Sequence, residues 1–164
     1  MPGKGMTPKE AAEALIAAMP TGVSESHLEE YGIDATAERA QLFTRELLFL
    51  NLFWIFAAIE AHIPSKYRPL ISELVLHAVE TGWGTTYPVG PAAWTAFLTE
   101  WNERRQRYER LVKEGVSSLA LSAEVGLGLE EQRAVGEEDR RQVLTLLIDS
   151  VPVDTYGQLL EDVG

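Results

Sequence analysis

The stretch LLFLNLFWIFAAIEAHI, residues 47–63, decides how the rest of the chain is read. Asn51, Glu60 and His62 are its strongly polar members, and Leu52 to Ile59 is unbroken apolar sequence. A membrane span needs about 20 apolar residues, and a carboxylate such as Glu60 is costly in hydrocarbon. The run is shorter than that. It therefore reads as the central helix of a bundle, since a helix apolar on every side needs neighbours all round. Membrane association through residues 47–63 is the lesser alternative.

Upstream, Asp34 or Thr36 can cap this long helix, and Pro64 stops it after His62. Thr7-Pro8 opens a first helix, whose apolar stripe is Ala11, Ala12, Leu15, Ile16 and Met19. Ser26 with Glu29 resembles a capping box for one short turn closed by Gly32. Residues 1–6 read as a disordered extension.

Downstream, a third helix is expected from Ser65 to about Glu80, ended by Gly82. The loop GWGTTYPVGP, residues 82–91, leads to a fourth from Pro91 to Glu114, stopped by Gly115. Residues 116–136 carry Gly126, Gly128 and Gly136 among scattered Leu and Val, and read as a connector with short helical turns. Glu137 to Ser150 is helical again, its acidic start favoured by the helix dipole. Asp154 can cap a last short helix with Tyr156, Leu159, Leu160 and Val163 inward.

No useful length of chain alternates apolar and polar residues as a half-buried strand would. The expected fold is all-α: about four principal helices, shorter ones around them, and a mostly apolar centre. Residues 7–114 form the expected bundle core. Residues 115–164 form an acidic helical segment packed on it or extending from it, within one domain.

Charge supports that division. The 164 residues carry 14 Lys and Arg against 25 Asp and Glu, a net −11. Residues 115–164 hold ten acids and three bases, so −7 of that total lies there. An acidic chain lacks the excess Lys and Arg that nonspecific nucleic-acid binding requires, so no nucleic-acid partner is expected. The absence of cysteine excludes disulfides, thiolate metal sites and thiol catalysis. Together with MPGKGMTPKE, which has no apolar h-region, it leads us to expect a cytoplasmic protein.

The best candidate for metal chemistry is Glu73, His77 and Glu80. Spacings of four and three put them within about 60° on one helical face. A histidine between two carboxylates can bind a divalent ion or act as an oriented base. The ferritin-like pattern of Glu-x-x-His is absent, since Ile63 follows Glu60 and Leu76 follows Glu73 at the third position. The loop supplies a candidate ligand site in Trp83, Thr85, Thr86 and Tyr87; its alternative role is to plug the end of the bundle with aromatics. It is no phosphate loop, lacking both the third glycine and Gly-Lys-Ser/Thr.

Glu46 and Glu60 share the side of Phe49 and Phe53 but lie about 21 Å apart along the helix, too far to share an ion. If buried, either must be paired or protonated. The fourth helix carries an apolar stripe of Trp94, Phe97, Leu98, Trp101, Tyr108, Leu111 and Val112. Arg104 and Arg105 interrupt it where an apolar residue is expected. Such an arginine either extends its head to water, pairs with a core carboxylate, or, at Arg105, recognises an anionic ligand in bidentate fashion.

No complete catalytic motif occurs, including any Gly-x-Ser-x-Gly elbow, and no motif demands a cofactor. The expected function is a non-catalytic interaction or regulatory module with a protein partner or a homo-oligomer. A ligand- or divalent-metal-binding bundle built on Glu73, His77, Glu80 and the 82–88 loop, with or without enzymatic activity, is the alternative.

Overall fold

A computed structural model describes residues 5–161. Eight α-helices are distinguished in these residues: α1 Pro8–Ala18, α2 Glu25–Glu30, α3 Ala37–His62, α4 Arg68–Thr81, α5 Trp94–Lys113, α6 Ser118–Glu131, α7 Arg140–Asp149 and α8 Val153–Leu160. The all-α class holds, and no strand forms among the described residues. Residues 1–4, in the expected disordered extension, and Val163, expected to point inward, lie outside the described residues.

Local chemistry sets most boundaries. Thr7 and Glu10 form a reciprocal capping box at α1: the Glu10 amide donates to Thr7 Oγ1 at 3.2 Å and the Thr7 amide to Glu10 Oε1 at 2.9 Å. The bond from the Thr7 amide first, and then the Thr7 hydroxyl, hold the Glu10 carboxyl below its ordinary pKa. Thr36 caps α3, accepting from the Arg39 amide at 3.1 Å. At α2 the cap is Ser24 rather than Ser26, and His27 rather than Glu29 returns the bond to the cap. Ser26 lies inside the helix, where it cannot serve as its cap.

Two starts move by three residues. Ser65–Tyr67 forms a turn ahead of α4, and α4 begins at Arg68 with Pro69 in its first turn. α5 begins at Trp94, not Pro91. It ends as expected: Gly115 adopts φ +98°, and the Val116 amide donates back to Leu111 O.

The larger difference is at 116–136. A regular helix, α6, replaces the expected connector. Ser117 caps it, accepting from the Ala120 amide at 3.2 Å. Gly126 faces α7, where a Cβ would make an ordinary contact 3.6 Å from Val143. α6 closes with Arg133 at φ +60° and the Ala134 amide on Leu129 O, so an arginine occupies a position that usually falls to glycine.

α3 is the axis of the molecule. It packs against α2, α4, α5 and α8, while α1 lies across α4 and α8. α6 and α7 form a hairpin, and α6 also packs against α5. By length and composition α3 could cross a membrane, yet 72% of its most apolar window is buried within the protein.

The segment 115–164 is not an appendage. Leu121, Leu129, Leu147, Tyr156 and Leu160 are buried in the same core cluster as Leu50 and Leu52. Asn51, the amide in the middle of the apolar stretch, explains part of this. Its Nδ2 donates to Leu47 O at 2.9 Å and to Ser150 O at 3.2 Å, and its Oδ1 accepts from Tyr156 Oη at 2.5 Å. One buried side chain thus ties the end of α7 and the middle of α8 to α3. A core confined to residues 7–114 would leave these groups unpaired.

Candidate functional site

The stripe on α4 is brought to nothing else. Glu73, His77 and Glu80 all face outward and are exposed. No group of three or more His, Asp or Glu side chains among the described residues is arranged to hold a metal ion. The metal expectation is left with three exposed side chains of a single helix. The helical spacing is right, but α4 turns Ile71, Val75 and Val79 inward, so the charged face looks away from every other helix.

The loop residues separate into two roles. Trp83 donates its indole Nε1–H to Ala92 O at 2.7 Å and packs edge-on to Trp94, with centroids 5.2 Å apart. The aromatic chain continues through Phe97, which stacks on Phe49 of α3 at 4.6 Å. Tyr87 is buried, and burial pushes its phenol pKa up. These rings plug the end of the bundle. Thr85 and Thr86 are exposed on the turn. Arg105 belongs elsewhere: it lies over the Phe56 ring and its Nε donates to Glu109 at 3.0 Å. The expected ligand set of Trp83, Thr85, Thr86, Tyr87 and Arg105 therefore does not converge, since Arg105 stands about 12 Å further along α5 than Phe97.

Arg104 takes the other course. Glu46 is the buried carboxylate, Glu60 being exposed, and Arg104 is its partner. The pair is bidentate: Nη1 donates to Oε1 at 2.5 Å and Nη2 to Oε2 at 2.9 Å. Arg104 also donates to Glu100 at 2.8 Å and to Tyr108 Oη at 3.3 Å, with its guanidinium over the Phe49 ring. Burial opposes the arginine's charge, but the bonds and charge of Glu46 outweigh it and hold its pKa above the ordinary value. Burial first, then the charge of Glu46, pushes the Tyr108 phenol up to about 12. A cleft of about 110 Å³ opens beside the cluster, lined also by Glu124, Gly128 and Gln132. Both of the arginine's terminal nitrogens are engaged by protein oxygens. The cluster joins α3 to α5, and Arg107, which also lines the cleft, stands 3.7 Å from Glu124.

Two apolar features remain open. One is a groove of about 370 Å³ between α1 and α4, lined by Ala12, Ile16, Leu74 and Ala78. Its polar rim is Lys9 and Glu13. It lacks the convergent polar groups that orient a small ligand.

The other is the outward face of α6 and α7. The large hydrophobic residues exposed on the described molecule are Leu70, Val112, Leu119, Leu127 and Ile148, and three of the five lie here. Leu119 is 55% exposed, Ile148 43% and Leu127 39%. Spacings of four along each helix put Leu119, Ala123 and Leu127 on one side of α6 and Leu144 and Ile148 on one side of α7. Leu119 and Ile148 line a hollow of about 90 Å³, Leu127 and Leu144 another of about 180 Å³, and Ala123 borders the second on the α6 side. Sequence reasoning missed this face because the leucines of 116–136 were read as scattered through a connector. The available signal was α6's lack of charge from Ser118 to Ala123, on a helix with one side already committed to the core.

No protein-family model matches the chain, and no curated protein or solved structure was found to resemble it.

Proposed function

We propose that this protein is a non-catalytic helical interaction module that docks a protein partner on the outward face of α6 and α7. The clustering of Leu119, Leu127 and Ile148 around two adjoining hollows carries the reading. Contiguous exposed apolar surface is what protein interfaces are made from, whereas isolated exposed leucines are ordinary. The self-contained Glu46–Arg104–Tyr108 cluster adds support, because the most elaborate polar arrangement in the protein is spent on joining helices. A cytoplasmic setting suits a chain without cysteine.

A photo-crosslinking residue at position 127 tests the proposal in cells. Protein adducts are expected from position 127 and not from a control at position 73 on the exposed face of α4. The absence of any protein adduct at 127 rejects it.

A further inference from the structure

We propose that a second cleft between α3 and α5, away from the Glu46–Arg104 pair, binds a zwitterionic α-amino acid with an apolar side chain. The cleft has a volume of about 230 Å³. Drug-sized ligands occupy roughly 300–1,000 Å³, so this one suits a molecule of few atoms. Matching registers build it. Phe53, Ala57 and Glu60 are spaced by four and three on α3, and Arg105, Glu109 and Val112 by four and three on α5. Each set therefore shares one helical face. Phe53, Ala57 and Val112 supply the apolar surface, and Val112 is left exposed. A ligand side chain laid over them removes that surface from water.

Arg105 is held in place without being used up. Its guanidinium lies over the Phe56 ring, 4.9 Å from the centroid, and its Nε donates to Glu109 Oε1 at 3.0 Å. Among the described residues its Nη1 and Nη2 have no hydrogen-bond partner. Two donors on a plane fixed in this way match the two oxygens of a carboxylate. Glu60 is exposed one turn beyond Phe56, and Lys113 is exposed two turns beyond Arg105. Neither forms an ion pair among the described residues. Glu60 is thus the acceptor for the ligand's ammonium, Arg105 the donor to its carboxylate, and Lys113 a further donor.

Charge selects this class of ligand over simpler ones. The cleft is lined by two acids, Glu60 and Glu109, and two bases, Arg105 and Lys113. An apolar anion would meet Arg105 but leave Glu60 unanswered beside its own charge. An apolar amine would meet Glu60 and be repelled by Lys113. A zwitterion answers both. Glu60 stands about 6 Å along α3 from Phe56, the ring beneath Arg105. The ammonium and carboxylate of one amino acid, each with a hydrogen bond at its outer side, can span that separation.

Titration of the full chain with L-leucine, followed by amide chemical shifts in NMR, tests this. Saturable shifts are expected at Ala57, Glu60 and Val112. N-acetyl-leucine lacks the ammonium, leucinamide lacks the carboxylate and glycine lacks the apolar side chain. Each should bind about tenfold more weakly than leucine, or worse. Glu60→Gln and Arg105→Gln should each weaken leucine binding by about tenfold, while Glu73→Gln on the exposed face of α4 leaves it unchanged. Arg105 also covers Phe56, so the exposed Glu60→Gln carries the test if Arg105→Gln loses helical circular dichroism. The absence of saturable shifts with leucine overturns the proposal. So does N-acetyl-leucine or leucinamide binding as tightly as leucine, or an affinity indifferent to Glu60→Gln. None of these outcomes bears on the α6–α7 face, which the crosslink at position 127 tests separately.

Discussion

α3 and α6 are both apolar on nearly every side, yet they meet different fates. Neighbours enclose α3 on all sides: α2, α4, α5 and α8. α6 has α5 and α7 on one side, burying Leu121, Val125 and Leu129, while Leu119 and Leu127 meet water. An all-round apolar helix announces how many faces need covering. It does not say whether the cover comes from the same chain. In α3 the requirement is met internally, and in α6 one face is left over.

Truncating one leucine in each helix should separate the two cases most sharply. Leu50→Ala removes a fully buried side chain and should cost about 3 kcal/mol in urea unfolding. Leu127→Ala should change the stability of the monomer by no more than about 0.5 kcal/mol. An equal loss at both positions would erase the distinction.

Next in size is the polar seam on α3. Arg104→Met should destabilise by about 3 kcal/mol, because Glu46 would remain in the core without its counter-charge. Glu46→Gln combined with Arg104→Met should recover a good part of that loss. A single variant as stable as the parent would show that the pair does not hold α5 to α3.

Alkaline pH probes the same seam more gently. The Tyr108 phenol is raised from 10.0 to about 12 in the folded protein. The folded state therefore keeps a proton that the unfolded state releases above pH 10. The corresponding stability is fully present below pH 10 and is lost as the pH climbs toward 12, by about 1 kcal/mol at pH 11. In Tyr108→Phe this part of the alkaline slope should vanish.

The smallest effect expected concerns the end of α6. Arg133 holds φ +60°, so Arg133→Gly should raise stability by about 0.5–1 kcal/mol, read as a small upward shift in the urea midpoint. A loss instead would mean that the arginine side chain contributes something its backbone conformation conceals.

Helix positions were legible wherever capping chemistry was local. Thr7, Thr36, Gly32 and Gly115 act within a turn of themselves, and the sequence marks them. α6 was not legible because its glycines are the usual sign of loops, and only the packing of Leu121, Val125 and Leu129 into the core shows that this stretch is a helix. The site was read less well, since exposure is a tertiary property. Glu73, His77 and Glu80 have a helical spacing equally suited to a ligand cluster or an open face. The pairing of Arg104 with a core carboxylate was visible in outline, as an arginine in an apolar stripe beside acids on a buried helix. That Glu46, not Glu60, is the partner depends on exposure: α5 passes both, but Glu46 is buried beside Arg104 while Glu60 lies open to solvent in a cleft with Arg105 and Glu109. Asn51 stood out only as a polar interruption, because both of its distant partners lie about a hundred residues downstream.

That distance sets a clock. Synthesis of α3 ends at His62, while Tyr156 and the rest of α8 emerge nearly a hundred residues later. At roughly 5–20 residues per second, the growing chain carries its most apolar helix with one flank uncovered for roughly 5–20 s. During that interval the amide of Asn51 has neither Ser150 nor Tyr156 to bond, and the flank that α8 will occupy is open to chaperones or to other nascent chains. Completion of the core is thus governed by the last helix made, and a ribosome that stalls shortly before residue 153 should release a product that aggregates rather than a slightly shortened protein.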